Sequence, residues 1–278
     1  MIPSPDTDRL AVCSWSLLPT DPQDLAAKLL ATGIHRVQLA LDPLRESPAI
    51  WGNAGEVLEQ AGITVVSGMF GCVGEDYSTL DSIRLTGGIA PDGTWLDNLK
   101  NIRAAVPIAT ALGISRVTFH AGFVPHDPVD PDFVKMVERL AAVAEVFRAA
   151  KIQVGLETGQ ETAGELAVLL GTLQCPDLFV NFDPANMLLY GKGDPIQALH
   201  LLGQWIRQVH IKDAVSSRIA GEWGAEVPVG DGDVNWQAFF TALHEANFTG
   251  DIVIEREAGD QRLADIRTAR QVILQSIR

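Results

Sequence analysis

The chain has 278 residues, of which 47% are hydrophobic and 20% charged, and its formal net charge is −14. This size fits one large α/β barrel or two small domains, and the composition is typical of a folded protein with a sizeable core. The sequence contains no apolar run long enough for a transmembrane helix. An acidic chain would repel phosphates, which argues against a nucleic-acid-binding surface.

The N-terminus lacks a basic segment followed by an apolar one, so we expect no signal peptide. Cys13, Cys72 and Cys175 are far apart in the sequence and form no CxxC pair. An odd number of widely spaced cysteines suits a reducing compartment. We therefore expect a cytoplasmic protein without a membrane anchor.

Strands and helices alternate from the start of the chain. In the first half, the pattern predicts strands at 9–14, 36–40, 64–67 and 116–119, and helices at 22–31, 47–61, 96–112 and 132–150. Pro107 is expected to kink or divide the helix in which it lies. The stretch 69–94 shows no clear element and is expected to be a long loop.

The same alternation continues to the end of the chain. The second half is predicted to contain strands at 153–156, 178–182, 206–209 and 251–254, and helices at 161–170, 196–202, 236–246 and 263–277. A loop is expected at 214–235. Eight strand–helix units without a break in composition predict one (β/α)8 barrel domain over residues 1–278.

Four of the predicted strands run directly into a residue that can bind a metal ion. Glu157, Asp183, His210 and Glu255 follow the fifth, sixth, seventh and eighth strands. Parallel strands joined by helices end at the same edge of a sheet, so these side chains should lie close together. Three carboxylates and one imidazole suit Mn²⁺, Mg²⁺ or Co²⁺, of which we expect Mn²⁺. The absence of sulfur disfavours a structural zinc site.

Each of these residues also has an ordinary structural interpretation. Asp183 can cap a turn, His210 can be a strand-end histidine with a backbone partner, Glu157 can cap a helix, and Glu255 can pair with Arg256. However, a charge at the end of a buried strand needs a partner, and one shared ion supplies it for all four residues. We therefore interpret the four as a metal site.

The sequence around these residues resembles a known family. The resemblance rests on the motifs VGLETGQE, NFDPAN, YGKGDP, QVHIKD, VPVGDGDVNW and IVIERE. They are similar to those of the sugar phosphate isomerase/epimerase family, the xylose isomerase-like TIM barrels that include tagatose 3-epimerases, inosose dehydratases and endonuclease-IV-type enzymes. The resemblance covers the last four units closely and the first half only loosely. It implies that Glu157, Asp183, His210 and Glu255 bind a divalent metal ion, and that Glu157 and Glu255 also move the substrate proton.

The chain departs from the epimerases of this family at two substrate positions. Asn186 occupies the position of a histidine three residues after the metal aspartate, and Ser216 occupies the position of a substrate arginine. Arg218 is the nearest candidate to replace that arginine. The departures leave the metal site intact and leave the substrate and the reaction open. The net charge and the single metal set argue against the endonuclease branch.

Several further residues are candidates for substrate binding. Trp15 is expected to form either a wall against a sugar ring or part of the core, and His120 either touches substrate or is a satisfied strand-end histidine. Lys212 is expected either to form an ion pair or to meet substrate, and Asn186 can hydrogen-bond a sugar hydroxyl. The Gly-rich stretch 221–232 is a candidate lid or an ordinary surface loop.

These features favour a metal-dependent isomerase or epimerase that acts on a keto sugar or sugar phosphate through an enediolate. The first alternative starts from the same intermediate and is a lyase or dehydratase acting on a keto-inositol or 3-keto-glycoside. The second is a non-catalytic sugar-binding barrel. The expected partner is a small carbohydrate. Barrels of this kind are often homo-oligomers, but the sequence shows no interface motif.

Overall fold

The computed structural model of the protein describes residues 7–219 and 221–276. The strands of this part of the chain are β1 (Leu10–Cys13), β2 (Arg36–Ala40), β3 (Thr64–Met69), β4 (Arg116–Phe119), β5 (Gln153–Glu157), β6 (Leu178–Phe182), β7 (Ile206–Ile211), β8 (Asp213–Val215), β9 (Ala225–Val227) and β10 (Asp251–Ile254). Eight of them are parallel and close into a barrel in the order β1-β10-β7-β6-β5-β4-β3-β2. The remaining two, β8 and β9, form an antiparallel pair above it.

The helices that surround the barrel are α1 (Pro22–Thr32), α2 (Asp42–Glu46), α3 (Pro48–Trp51), α4 (Ala54–Gln60), α5 (Leu80–Thr86), α6 (Asp92–Ala111), α7 (Pro131–Arg148), α8 (Ala163–Leu173), α9 (Pro184–Leu189), α10 (Pro195–Leu202), α11 (Trp236–Glu245) and α12 (Arg262–Ser276). Short 3-10 helices cover Thr7–Arg9 and Ser14–Leu17. Among the described helices, none combines the length and the apolarity needed to cross a membrane.

The predicted (β/α)8 barrel is confirmed, and each of the eight predicted strands is present with its ends within two residues of the expected ones. The expectation of one domain over residues 1–278 includes residues 1–6, 220 and 277–278, which lie outside the described part of the chain. It therefore stays a prediction. The same holds for the last residue of the helix predicted at 263–277.

Several connections differ from the sequence prediction. The single helix predicted at 47–61 is wrong, because the segment divides into α3, which begins at Pro48, and α4, with Gly52 and Asn53 between them. The short helix α2, which precedes this segment, was not predicted. The stretch 69–94 is not a structureless loop, since Thr79 and Ser82 form a capping box that starts α5.

Pro107 lies inside α6 and does not divide it. A proline removes one backbone hydrogen bond, and here α6 is held on both sides of it by buried residues such as Ile102 and Ala109. The short helix α9 was not predicted, because six residues are too few for a clear period. The loop predicted at 214–235 contains β9 and part of β8.

The two faces of each barrel strand meet different surroundings. In β1, Leu10 and Val12 pack into the large core between sheet and helices, whereas Ala11 and Cys13 form a small cluster with Val253. This alternation is the period of two expected when one face of a strand points into a barrel. Residues two apart from each other therefore form successive layers inside the barrel.

Many inward positions are polar and hydrogen-bond to one another. The Ser67 hydroxyl donates to Gln208 Oε1 at 2.7 Å, and Gln208 Nε2 donates to Asn181 Oδ1 at 3.1 Å. Gln38 Nε2 donates to Thr118 Oγ1 at 2.8 Å. All five side chains are fully buried, so each bond replaces one that water would otherwise make. This network supports the layer above it, where the strands end.

At the opposite end of the barrel, Asp251 joins two other strands by ion pairs. Its two carboxylate oxygens each lie 2.8 Å from a guanidinium, one of Arg36 on β2 and one of Arg116 on β4. The Asp251 side chain is buried and the two arginines are about three-quarters buried. The carboxylate thus connects strands that are not neighbours in the barrel.

We predict that Asp251→Ala destabilises the barrel by about 3 kcal/mol, because it leaves two mostly buried guanidinium groups without their counter-ion. The free energy of unfolding from urea denaturation is the measurement. Asp81→Ala, which removes an exposed carboxylate 3.7 Å from Arg84, is the control and should have far less effect. Equal effects of the two substitutions would contradict the prediction.

Candidate metal and substrate site

The carboxyl ends of four neighbouring strands bring the predicted metal ligands together. Glu157 ends β5, Asp183 follows β6, His210 lies near the end of β7, and Glu255 follows β10. Each has a ligand atom within 4.8 Å of a ligand atom of every other member, and all four are buried. We call these residues the strand-end cluster.

Two atoms of the strand-end cluster lack hydrogen-bond partners. His210 Nδ1 lies 3.4 Å from Glu157 Oε1, 3.4 Å from Glu255 Oε2 and 3.9 Å from Asp183 Oδ2. Among the described residues, neither His210 Nδ1 nor Asp183 Oδ2 has a hydrogen-bond partner, although both atoms are buried. A buried polar atom without a partner is costly, and a cation at this place would satisfy both. The donor set therefore fits a divalent metal ion.

Asp183 combines the capping role and the ligand role on different oxygens. Its Oδ1 accepts from the backbone N–H groups of Ala185 at 2.8 Å and Asn186 at 3.1 Å, which caps α9. The Thr158 hydroxyl fixes the Asp183 backbone, because it accepts from the Asp183 N–H at 2.8 Å and donates to the Asp183 carbonyl at 3.0 Å. Because Oδ1 is held in the cap, Oδ2 points into the cluster and remains free to bind an ion.

The orientation of the His210 ring is set from below by Gln38. His210 Nε2 lies 2.8 Å from Gln38 Oε1, and the amide of Gln38 is oriented by its donation to Thr118. Asn181 Nδ2 also lies 3.1 Å from His210 Nε2, but this amide already donates to Glu157, and Gln38 Oε1, which can only accept, is closer. We therefore assign the ring proton to Nε2, where it donates to Gln38, which leaves the Nδ1 lone pair for the cluster.

Cys13 is near the other side of the ring, with its sulfur 3.7 Å from His210 Nε2. Together with His210 and Glu255 it forms a second group of atoms close enough to share an ion. Burial raises the pKa of Cys13, so the residue is a neutral thiol and a poor ligand. An ion would therefore bind on the carboxylate side of His210.

Negative charge in the cluster exceeds what the neighbouring cations balance. Burial raises the pKa of Asp183 to about 7, even though Lys212 opposes the shift from 3.7 Å away. Burial also acts to raise the pKa of Glu157. The nearby His210, with a smaller contribution from His120, outweighs this effect and holds the pKa of Glu157 below its usual value. Lys212 and His210 hold the pKa of Glu255 well below its usual value against the same effect of burial. A divalent cation would relieve this excess.

A cavity of about 540 Å³ lies above the strand-end cluster. Four of the five predicted substrate residues line it, namely Trp15, His120, Asn186 and Lys212. The fifth, Arg218, is exposed and does not line the cavity. A role of Arg218 in substrate binding stays a prediction, and the position of the residue outside the cavity does not favour it.

The lining residues also hold the two cluster glutamates. Trp15 Nε1 donates to Glu255 Oε1 at 2.8 Å, and Asn186 Nδ2 donates to Glu157 Oε1 at 3.2 Å. His120 Nε2 lies 3.6 Å from the same Glu157 oxygen. The side chain of Asn186 thus contacts a catalytic candidate directly, at the position where related epimerases are expected to have histidine.

Lys212 forms the ion pair that the sequence left open. Its Nζ lies 2.6 Å from Glu257 Oε2 and 3.0 Å from Glu255 Oε2, and it donates to Asn186 Oδ1 at 3.3 Å. Burial lowers the pKa of Lys212, but Glu255 and Glu257 outweigh this effect and raise it well above its usual value. Lys212 is therefore charged and fully engaged.

One wall of the cavity comes from the predicted lid segment. Asp213 accepts hydrogen bonds from the backbone of Gly230 at 2.9 Å and from Trp236 Nε1 at 2.9 Å. A Cβ atom on Gly232 would come within 2.1 Å of Asp213 Oδ1, so only glycine allows the close approach. These contacts and the β8–β9 pair place Trp223 against the cavity. Opening and closing of the segment stays a prediction.

Sequence analysis missed several residues of the site. Gln38 and Asn181 interrupt apolar strands at inward positions, and the period of two could have identified them. Glu257 lies two residues after Glu255 and lines the cavity. Tyr190 and Glu75 reach the cavity from loops, where no periodic signal exists.

Comparison with known proteins agrees with this fold. The sequence model of a protein family described as "Xylose isomerase-like TIM barrel" matches residues 25–276. A protein named inosose dehydratase from Geobacillus kaustophilus (strain HTA426) is 26% identical over 228 residues, which cover 72% of this chain and 70% of that protein.

Two solved structures extend the comparison. The crystal structure of a xylose isomerase domain protein from Planctomyces limnophilus is 29% identical, with a TM-score of 0.82, and the match covers 90% of each chain. The structure of an L-ribulose 3-epimerase gives a TM-score of 0.74 and covers 97% of this chain and 94% of that one. At 17% identity, the second likeness concerns the fold alone.

We predict that Asp183→Ala and His210→Ala each weaken Mn²⁺ binding by about 100-fold or more, because loss of a ligand should cost at least as much as loss of an outer-shell partner. Isothermal titration of metal-stripped protein measures the affinity, and circular dichroism confirms that the barrel is folded. His200→Ala, which removes an exposed histidine of α10, is the control. Unchanged Mn²⁺ affinity in both variants would contradict the metal site.

Gln38→Met should weaken Mn²⁺ binding by about 10-fold to 100-fold, because it removes the acceptor that fixes the His210 tautomer and keeps the side-chain length. Nitrogen NMR of the imidazole should show that the ring proton is no longer confined to Nε2. Full metal affinity together with an unchanged tautomer would show that Gln38 does not orient the ring.

Proposed function

Because the chain belongs to the xylose isomerase-like TIM barrel family, we propose that it is a divalent-metal-dependent isomerase or epimerase of a keto sugar or sugar phosphate. The observation that carries the proposal is the convergence of Asp183 Oδ2 and His210 Nδ1 on two glutamates below a cavity, because both atoms are buried and neither has a hydrogen-bond partner among the described residues. Glu157, Asp183, His210 and Glu255 would hold the ion. The oxygen-rich ligand set favours Mn²⁺, with Mg²⁺ and Co²⁺ as alternatives.

The ion would stabilise the negative charge that develops on the substrate oxygens as a proton leaves the carbon next to the carbonyl group. The proton itself is moved by Glu157 and Glu255. Both have pKa values below the usual range, so both are ionised at neutral pH, which suits the glutamate that removes the proton. The glutamate that returns a proton must first acquire one.

The glutamates are oriented by different neighbours. Asn181 and Asn186 each donate to one oxygen of Glu157, at 3.1 and 3.2 Å. Trp15 and Lys212 each donate to one oxygen of Glu255, at 2.8 and 3.0 Å. Return of the proton to the opposite face of the same carbon gives an epimer, and return to the neighbouring carbon gives an aldose–ketose isomer.

A second candidate is a lyase or dehydratase acting on a keto-inositol or 3-keto-glycoside. The relative named inosose dehydratase favours it, and so does Asn186, because the amide replaces a histidine expected in the epimerases. Both reactions begin with the same proton removal. They differ in whether the resulting enediolate is reprotonated or expels a neighbouring group.

Turnover of a panel of substrates by Mn²⁺-loaded protein tests these candidates. The panel contains free keto sugars, their phosphates, keto-inositols and 3-keto-glycosides. New isomers support the isomerase or epimerase, whereas enones or a released aglycone support the lyase. Sugar binding without any turnover would contradict both and leave a non-catalytic sugar-binding barrel.

We predict that Glu157→Gln and Glu255→Gln each lower kcat by roughly two to four orders of magnitude, because glutamine keeps the shape and one ligand oxygen but cannot accept a proton. Much of the metal should remain bound. Exchange of the substrate proton with solvent deuterium, followed by NMR, should fall in parallel. Glu138→Gln, which changes an exposed residue of α7, is the matched control.

The two-base mechanism would be wrong if either cluster variant retained metal and near-normal turnover. In that case the substituted glutamate would be a ligand only.

A further inference from the structure

The walls of the cavity are acidic above the strand-end cluster. Besides Glu255, its lining includes the carboxylates of Asp42, Glu75, Glu226 and Glu257. Glu226 comes from the segment after β7, and Glu257 follows the barrel strand β10. In barrels that bind phosphate groups, the loops after the seventh and eighth barrel strands frequently form the phosphate site. Here each of those two loops contributes a carboxylate.

The described lining residues offer only two side chains that can carry positive charge, and both face carboxylates. Lys212 is engaged by Glu255 and Glu257, as described above. His120 Nε2 lies 3.6 Å from Glu157 Oε1. Neither is free to bind an additional anion.

Three arginines near the lining residues are engaged as well. Arg45 lies 2.6 Å from Asp42 Oδ1, and Arg256 lies 2.7 Å from Glu226 Oε1. Arg262 donates to backbone carbonyl groups, including that of Glu257. Binding of a phosphate by any of them would require an existing contact to break.

The charge balance therefore remains negative at the mouth of the cavity. Glu75 accepts a hydrogen bond from the backbone of Gly88 at 2.9 Å and has no ion pair among the described residues. Glu257 shares its cation with Glu255. A divalent ion in the strand-end cluster would not make the net charge of the site positive, because the three carboxylates of that cluster carry more negative charge than the ion carries positive charge.

We propose that the substrate is an uncharged, unphosphorylated carbohydrate, an inference that rests on the proposed function of the same site. Carboxylates accept hydrogen bonds from sugar hydroxyl groups and repel a phosphate dianion. The aromatic rings of Tyr190 and Trp223, whose centroids are 4.7 Å apart, give the cavity an apolar surface for the carbon skeleton. A free arginine or lysine in the cavity would instead favour a phosphate ester.

The test compares free ketohexoses with their 6-phosphates, in binding by isothermal titration and in turnover. The free sugar should bind at least about tenfold more tightly than its phosphate, because like charges in a partly enclosed site repel. Added salt should narrow the difference by screening the repulsion. Tighter binding of the phosphate, weakened by salt, would overturn the inference, and so would failure of every free sugar to bind.

Binding and turnover separate this inference from the proposed function. Free sugars that bind selectively but are not converted would contradict the proposed reaction and support the substrate class. Phosphates that are converted in preference to free sugars would support the reaction and overturn the substrate class.

The double variant Glu75→Gln/Glu257→Gln tests the origin of the selectivity. It should raise the affinity for the sugar phosphate relative to the free sugar by about tenfold, because it removes two like charges from the mouth of the cavity. Glu59→Gln/Glu138→Gln makes the same change in net charge on exposed helix positions and should leave the ratio unchanged. An equal change of this affinity ratio in both double variants, or no change in either, would contradict the proposal.

Discussion

Three carboxylates and one imidazole share a buried layer at the ends of β5, β6, β7 and β10, and the rest of the site depends on how their charge is balanced. Burial of so many acidic groups is costly unless cations face them. Lys212 supplies part of that balance from 3.7 Å away, and among the described residues Asp183 Oδ2 and His210 Nδ1 make no hydrogen bond. The donor set fits a divalent metal ion.

The barrel interior holds these ligands in position. Gln38 fixes the proton on the His210 ring, and Asn181 holds Glu157 from below. Both side chains belong to a fully buried polar network whose members satisfy one another. A barrel filled only by aliphatic residues would be simpler to pack, but it could not orient the donor atoms of the layer above.

The outer part of the site is set by loops, which determine what can reach the cluster. Asp213 and Glu226 organise the segment that follows β7, and Glu226 also accepts from the backbone of Glu257 at 2.9 Å. The result is a cavity with acidic and aromatic walls above a metal-type cluster.

The sequence alone determined the barrel and the four cluster residues. Each buried parallel strand is an apolar run that stops at a polar residue, and motifs such as VGLE and NFDPAN show both the run and the residue that ends it. Asp183 and His210 could be placed at one edge because consecutive parallel strands end together. The division of the helix predicted at 47–61 was missed, and so were α2 and α9, since short segments carry too few residues for a clear period. Only the tertiary structure brought Trp15, Glu75 and Glu226 to one cavity and Gln38 to His210. These contacts join residues far apart in the chain, and their positions depend on loop paths and packing that no local pattern records.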